Sequence, residues 1–185
     1  MKMDLTKAEL RRRILLERDS LSAFEREVKS IRICEKIIQM LDPEKMKTIM
    51  LYRSIRSEVQ LALLESTCKS LKIRTAYPVC RENRQMLAVD STVWKKGAFG
   101  IAEPDMDSGE VIDPATLDLI ICPCVAFDDR GFRLGMGGGY YDRFLQEVNS
   151  DAQIWAVAFE IQKVDSIPED PWDLKMDRVI TEKVK

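Results

Sequence analysis

Four of the five residues from Gly135 to Gly139 are glycine, interrupted only by Met136, with Arg133 just ahead of the run and Asp142 just behind it. Glycine adopts positive φ without a Cβ penalty and lets another molecule approach the main chain closely. A loop of this kind leading into a helix offers unpaired N–H donors and the positive end of a helix dipole. Together these suit an anion, phosphate above all. Arg133 adds a cation for phosphate oxygens, and Asp142 a hard carboxylate of the type Mg²⁺ takes. The rival reading is a glycine-rich turn in which Asp142 merely complements the dipole.

The two commonest phosphate loops do not fit. No Gly-Lys-Ser or Gly-Lys-Thr tripeptide occurs, and a dinucleotide fingerprint would need glycine where Tyr140 stands. The chain contains no histidine, which excludes Ser-His-Asp and Cys-His chemistry. Proton handling is left to carboxylates, tyrosines, thiols, amines or the substrate itself. Cys122 and Cys124 point the same way from a strand, but without a second Cys pair or a histidine they read as buried thiols rather than a zinc site.

These groups need elements to hold them. Leu119 to Val125 is a continuous apolar run, as expected of a parallel strand buried on both faces. Beyond the glycines, Tyr141, Phe144, Leu145 and Val148 recur at helical spacing. Thr6 and Glu9 form a capping box that starts a helix at Lys7, continued by Leu10, Ile14, Leu15 and Arg18. Ser22 and Glu25 repeat the device for a second helix, marked by Phe24, Val28, Ile31 and Ile38 and ending near Leu41-Asp42-Pro43. Thr48 to Tyr52 reads as a strand, and Ser57 with Gln60 as the cap of a helix running to Cys68 or Ser70. Lys72 to Val79 reads as a strand ending in a proline bend, and Ile154 to Phe159 as another buried strand. Helices alternating with buried strands, with no long linker, predict one α/β domain over residues 1–185, its mostly parallel sheet covered by helices on both faces.

Ala126-Phe127-Asp128, Gly131 and the ungapped run from Arg133 to Leu145 resemble the signature of the 5-formyltetrahydrofolate cyclo-ligases, also called methenyltetrahydrofolate synthetases. The resemblance implies an open three-layer α/β/α sheet of the CoA-transferase-like kind. It also implies roles for named residues. Lys7 and Arg11 match an opening Lys, three residues, Arg pattern that contacts ATP, together with Arg133, Leu134, Gly135, Met136, Gly137, Gly138, Gly139, Tyr140 and Tyr141. Glu58, Arg53 and the stretch from Met136 to Tyr140 contact the folate substrate, and Asp142 with Asp173 holds Mg²⁺. Phe99 to Pro104 resembles the family's Gly-Ile-x-Glu-Pro segment, and Met86, Trp94 and Phe99 offer apolar surface for a flat pterin. Lys95 and Lys96 are candidates for the glutamate tail of folate. In each case a blander reading competes: a solvated basic face of Lys7, Arg11, Arg12 and Arg13, a dipole-complementing Glu58, and core packing for the aromatic residues. The chain departs from the family at Trp172, where many members carry histidine.

The implied activity is ATP- and Mg²⁺-dependent conversion of 5-formyltetrahydrofolate, with or without a polyglutamate tail, to 5,10-methenyltetrahydrofolate, ADP and phosphate. The alternatives are a nucleotide- or folate-binding module without turnover, and an ATP-dependent enzyme on the same scaffold with another acyl substrate. Lys plus Arg number 29 against 31 Asp plus Glu, so the net field does not favour a nucleic acid. No apolar run reaches membrane-spanning length, the first twenty residues are too charged for a secretory signal, and the five cysteines form no small-scaffold framework. A cytoplasmic monomer is the expectation.

Overall fold

The structure is a computed structural model that describes residues 5–97 and 100–184; Phe99 of the expected pterin wall lies outside the described residues. The chain opens with α1 (Lys7–Asp19), whose N-terminus is closed by the Thr6 and Glu9 box, and α2 (Ala23–Met40), closed the same way by Ser22 and Glu25. Both helices begin where the sequence places them. Then come β1 (Thr48–Met50), α3 (Ala62–Ser70), β2 (Arg74–Cys80), β3 (Met86–Asp90), β4 (Trp94–Lys96), β5 (Ala102–Pro104), β6 (Glu110–Ile112), β7 (Leu119–Pro123), β8 (Ala126–Phe127), β9 (Arg133–Leu134), α4 (Tyr140–Phe144), β10 (Gln153–Val157) and β11 (Arg178–Ile180).

Seven strands form the central sheet in the order β11-β10-β7-β1-β2-β3-β6. Pairing is parallel from β11 through β2 and antiparallel for β3 and β6 at one edge, so the sheet is mostly parallel as expected. The β1 ladder stops at Ala76 of β2, two residues short of Pro78, whose ring nitrogen has no N–H to extend it. Pro78 therefore sits inside β2 opposite Ala88 and does not end the strand in a bend.

Alternation along β7 sorts its side chains between two cores. Leu119 and Ile121 face α2 and α3, packing with Ile33, Cys34, Ile37, Leu64 and Cys68. Ile120 and Cys122 face the other way, toward Phe144, Leu145 and Ala152. That second layer is thinner than the sequence suggests. The expected helix through Val148 stops at Phe144, and turns complete the cover. The first helix, α1, lies on neither sheet face. Leu10 and Ile14 bury against the β8–β9 ribbon beside Phe132, Leu134, Val164 and Ile167, a seat worth about 1.5–3 kcal/mol per side chain.

One expected helix start is corrected. The segment from Ser57 to Gln60 is loop, and α3 begins at Ala62 with no side-chain cap. Ser57 cannot cap because its hydroxyl is already engaged, accepting from Arg18 Nε at 2.9 Å and donating to the Asp19 carboxylate. Glu58 accepts from the Ile55 amide instead. Side chains that bond nearby backbone in this way hold a loop in place of a helix turn.

Candidate active site

Beyond the carboxyl ends of β1, β2 and β7 lies a cavity of about 1180 Å³, the position at which open α/β sheets bind ligands. Every candidate ATP, substrate and metal residue lines it: Lys7, Arg11, Arg53, Glu58, the run from Arg133 to Asp142, and Asp173. Met86 and Trp94 line it too, as do Ile101, Ala102 and Glu103. Neither Lys95 nor Lys96 does; Lys95 is paired with Asp105 at 2.8 Å.

The glycine loop forms one end. Gly137 has φ of +96° and Gly139 of +68°, backbone that a side chain would strain. A Cβ on Gly137 would also stand 3.3 Å from the Arg11 guanidinium carbon. Arg11 is drawn down on the loop by a 2.7 Å bond from its Nε to the Gly135 carbonyl. Among the described residues, no amide from Gly135 to Gly139 donates to a protein acceptor. Lys7 turns inward as well, while Arg12 and Arg13 stay exposed, so the basic face of α1 is divided rather than uniformly solvated. Lys7 Nζ donates to Asp170 at 2.6 Å and to Asp173 at 2.5 Å. Burial works against the ammonium, but these two carboxylates outweigh it and hold the Lys7 pKa above its ordinary value.

Arg133 rises from β9 almost fully buried, donating from Nη2 to Asp142 at 2.8 Å. Its Nε and the Tyr141 hydroxyl are buried without a partner among the described residues. An unpaired buried donor costs about 1–3 kcal/mol, so both atoms favour a ligand that brings acceptors. Asp142 and Asp173 supply only oxygen, as Mg²⁺ prefers, and each is now held by a cation. No group of three or more Cys, Asp or Glu side chains is gathered for a metal among the described residues. Two carboxylates fit Mg²⁺ arriving with phosphate, because that ion takes most of its remaining ligands from phosphate and water.

Another part of the wall is aromatic. The Arg53 guanidinium lies 4.1 Å from the Trp94 ring centre and 5.2 Å from that of Tyr77, and the two rings meet edge to face at 4.8 Å. Glu58 also lines the cavity, 7% exposed, with the Ile55 amide at 3.0 Å its one hydrogen-bond donor among the described residues. Burial raises its pKa, against the Ile55 amide and the Arg18 charge. The cysteines offer no nucleophile, since burial pushes Cys122 up to about 11 and Cys124 up to about 12. All five cysteines are free, and Cys122 and Cys124 are buried as expected.

Sequence reasoning missed Tyr52, Tyr77, Arg56, Arg84 and Asp170, all on the cavity wall. Asp170 had a signal in its spacing, three residues before Asp173 in the same turn. Tyr77 had none, because its partner Trp94 comes from the separate β4–β5 ribbon. Trp172, where the family often carries histidine, also lines the cavity and is 60% exposed.

A model of the 5-formyltetrahydrofolate cyclo-ligase family matches residues 4–182. The 5-formyltetrahydrofolate cyclo-ligase of Mycoplasma pneumoniae is 29% identical over 96% of this chain and 99% of its own length. That of Haemophilus influenzae is 30% identical over 91% and 93%. Two solved structures share the fold. The 5,10-methenyltetrahydrofolate synthetase of Mycoplasma pneumoniae superposes with a TM-score of 0.82 at 29% identity, over 97% of this chain and all of that one. The synthetase of Aquifex aeolicus does so with 0.84 at 34% identity, over 97% and 91%.

Proposed function

The chain belongs to the 5-formyltetrahydrofolate cyclo-ligase family, it is an ATP-dependent cyclo-ligase of 5-formyltetrahydrofolate, and we propose that the cavity divides that reaction between its two ends. The observation that carries this reading is the joining of a phosphate-type loop and an aromatic wall in one cavity. The formyl group on N5 is an amide whose oxygen leaves poorly. Transfer of the γ-phosphoryl group of ATP to that oxygen releases ADP and makes a leaving group. N10 then attacks the formyl carbon, the bond from that carbon to the phosphorylated oxygen breaks, and phosphate departs with the N10 proton to leave 5,10-methenyltetrahydrofolate.

Phosphoryl transfer asks for position and charge neutralisation more than for a protein nucleophile, which suits a chain without histidine. The amides from Gly135 to Gly139 receive phosphate oxygens, with Leu134, Tyr140 and Tyr141 shaping the loop's flanks. Lys7, Arg11 and Arg133 neutralise phosphate charge. Asp142 and Asp173 would hold Mg²⁺, which when bound adds further neutralisation of phosphate charge. Elsewhere on the wall, the packed cluster of Arg53, Trp94 and Tyr77 offers the pterin one face to lie against, and Glu58 accepts its N–H donors. Its five cysteines are free, which suits a cytoplasmic protein, and a monomer with a single domain over residues 1–185 completes the reading.

Lys7→Ala and Arg11→Ala are each expected to raise the ATP KM roughly ten- to a hundredfold, the loss of one charge-assisted contact. The folate KM should stay near wild type. Initial rates of methenyl chromophore formation at varied ATP measure this, and wild-type ATP dependence in both variants would refute the assignment. Failure of the wild-type protein to form the chromophore from 5-formyltetrahydrofolate, ATP and Mg²⁺ would sink the reading as a whole.

The glutamate tail is assigned to Arg56 and Arg84 in place of Lys95 and Lys96. Both arginines line the cavity, both hold positive φ at 53° and 60°, and neither has a protein partner among the described residues. Exposed charge pairs are weak, so Arg84→Ala should raise the KM of a polyglutamylated substrate only about threefold. The monoglutamate should be affected less. An equal KM change for both substrates, or none, would remove Arg84 from this role.

A further inference from the structure

Lys7 finds its two carboxylates on a segment, residues 164–176, that has no regular structure to hold it still. What fixes it lies outside the cavity. Val164 N donates to Phe127 O and Met176 N to Gly131 O, each at 2.9 Å, so both ends are tied to the β8–β9 ribbon. Between these ties the Asp128 carboxylate accepts from the Ile167 amide at 3.0 Å. The same carboxylate takes the amides of Arg130 and Phe132 in its own turn, and its side chain is fully buried. Arg130 completes the arrangement. Its guanidinium bonds Asp128 at 2.6 Å, the Ile167 carbonyl at 2.8 Å, the Ser166 hydroxyl and the Glu169 carboxylate. The residue next to Glu169 is Asp170, where the chain turns and Asp173 closes back on the Asp170 amide at 2.8 Å.

We propose that Asp128 and Arg130 are positioning residues for the nucleotide end of the site, clamping residues 166–169 so that Asp170 and Asp173 stand where Lys7 and the phosphates need them. Neither Asp128 nor Arg130 lines the cavity, and neither touches the aromatic end. The clamp therefore acts on the two substrates unequally. Loss of Arg130 removes the bonds from its guanidinium to Ser166, Ile167 and Glu169, and freedom of the order of 1 Å at such a distance can cost about a hundredfold. Burial alone would raise the Asp128 pKa, but the Arg130 guanidinium and the Ile167 and Phe132 amides outweigh it and hold the carboxyl below its ordinary value. The contact is thus intact throughout the pH range in which the enzyme would be assayed. The inference rests on the assignment of Lys7 to ATP made above.

The test is Arg130→Gln in the full-length protein, with Asp128→Asn beside it and Lys7→Ala as reference. Arg130→Gln is expected to raise the ATP KM about tenfold or more while the 5-formyltetrahydrofolate KM stays near wild type, and to lower the thermal midpoint because the buried Asp128 carboxylate loses its cation; Arg130→Lys, which restores the charge, should recover part of both losses. Asp128→Asn should show the same split, with a lower thermal midpoint because the carboxylate is buried. If Arg130→Gln changes both KM values in parallel, or neither, while Lys7→Ala raises that for ATP, the clamp is refuted and the site assignment survives. If Lys7→Ala also leaves the ATP KM unchanged, the assignment beneath the clamp has failed and the clamp falls with it.

Discussion

Replacing Gly137 with alanine is expected to cut kcat/KM for ATP by about a hundredfold while lowering the thermal midpoint by only a few degrees. Two costs arise at one position. The φ of +96° lies outside the conformations open to an L side chain, at about 1–3 kcal/mol if the backbone is held there. The new methyl would also stand 3.3 Å from the guanidinium carbon of Arg11. Relief of either strain moves the loop amides or displaces Arg11, and both belong to the phosphate end of the cavity. The strain falls outside the two sheet cores, so most of the folding free energy is untouched. Gly135→Ala gives the comparison. There φ is ordinary and the nearest atom is 3.5 Å away, a normal contact, so its loss should be smaller by roughly a factor of ten. Steady-state kinetics at varied ATP and a thermal melt measure the pair. A Gly137→Ala enzyme with wild-type ATP kinetics would show that the loop does not meet phosphate.

Glu58→Gln is expected to lose roughly ten- to a hundredfold in kcat/KM for 5-formyltetrahydrofolate, with the ATP KM little changed, as one charge-assisted contact to the pterin weakens. Its effect on stability should have the opposite sign. Burial raises the Glu58 pKa above the ordinary glutamate value, so over the window between those two pKa values the folded state binds more protons than the unfolded state. Stability from this group is present below the ordinary pKa and is lost as pH rises through the folded one. At neutral pH the buried carboxylate is therefore a burden on the unliganded protein, which glutamine relieves. The variant's thermal midpoint should equal or exceed that of the wild type at pH 7, and the difference should shrink toward pH 4. A variant that melts lower at pH 7 with full activity would make Glu58 a packing residue.

How much of this was legible in the chain can be judged at particular residues. The Thr6 and Ser22 boxes predict two helix starts correctly because a capping box involves only residues three apart. The same pattern at Ser57 misleads, since Arg18 and Asp19, some forty positions earlier in the chain, claim its hydroxyl. The spacing beyond the glycine run predicts a helix through Val148, yet α4 stops at Phe144. The periodicity there marks burial against the sheet, which turns satisfy as well as a helix does.

Residue order alone was enough for the glycine loop, the exclusion of imidazole chemistry, the buried β7 strand and, through a long ungapped match, the family. Each is a property of residue types within a short window. It took the folded chain to show that Arg11 lies over a loop 124 positions away, that Tyr77 and Trp94 cluster with Arg53, and that Asp128 and Arg130 fasten the turn bearing Asp170 and Asp173. Those placements follow from which strands pair and which faces bury. That choice is made by apolar area and hydrogen bonding summed over the whole sheet, to which no local spacing is sensitive.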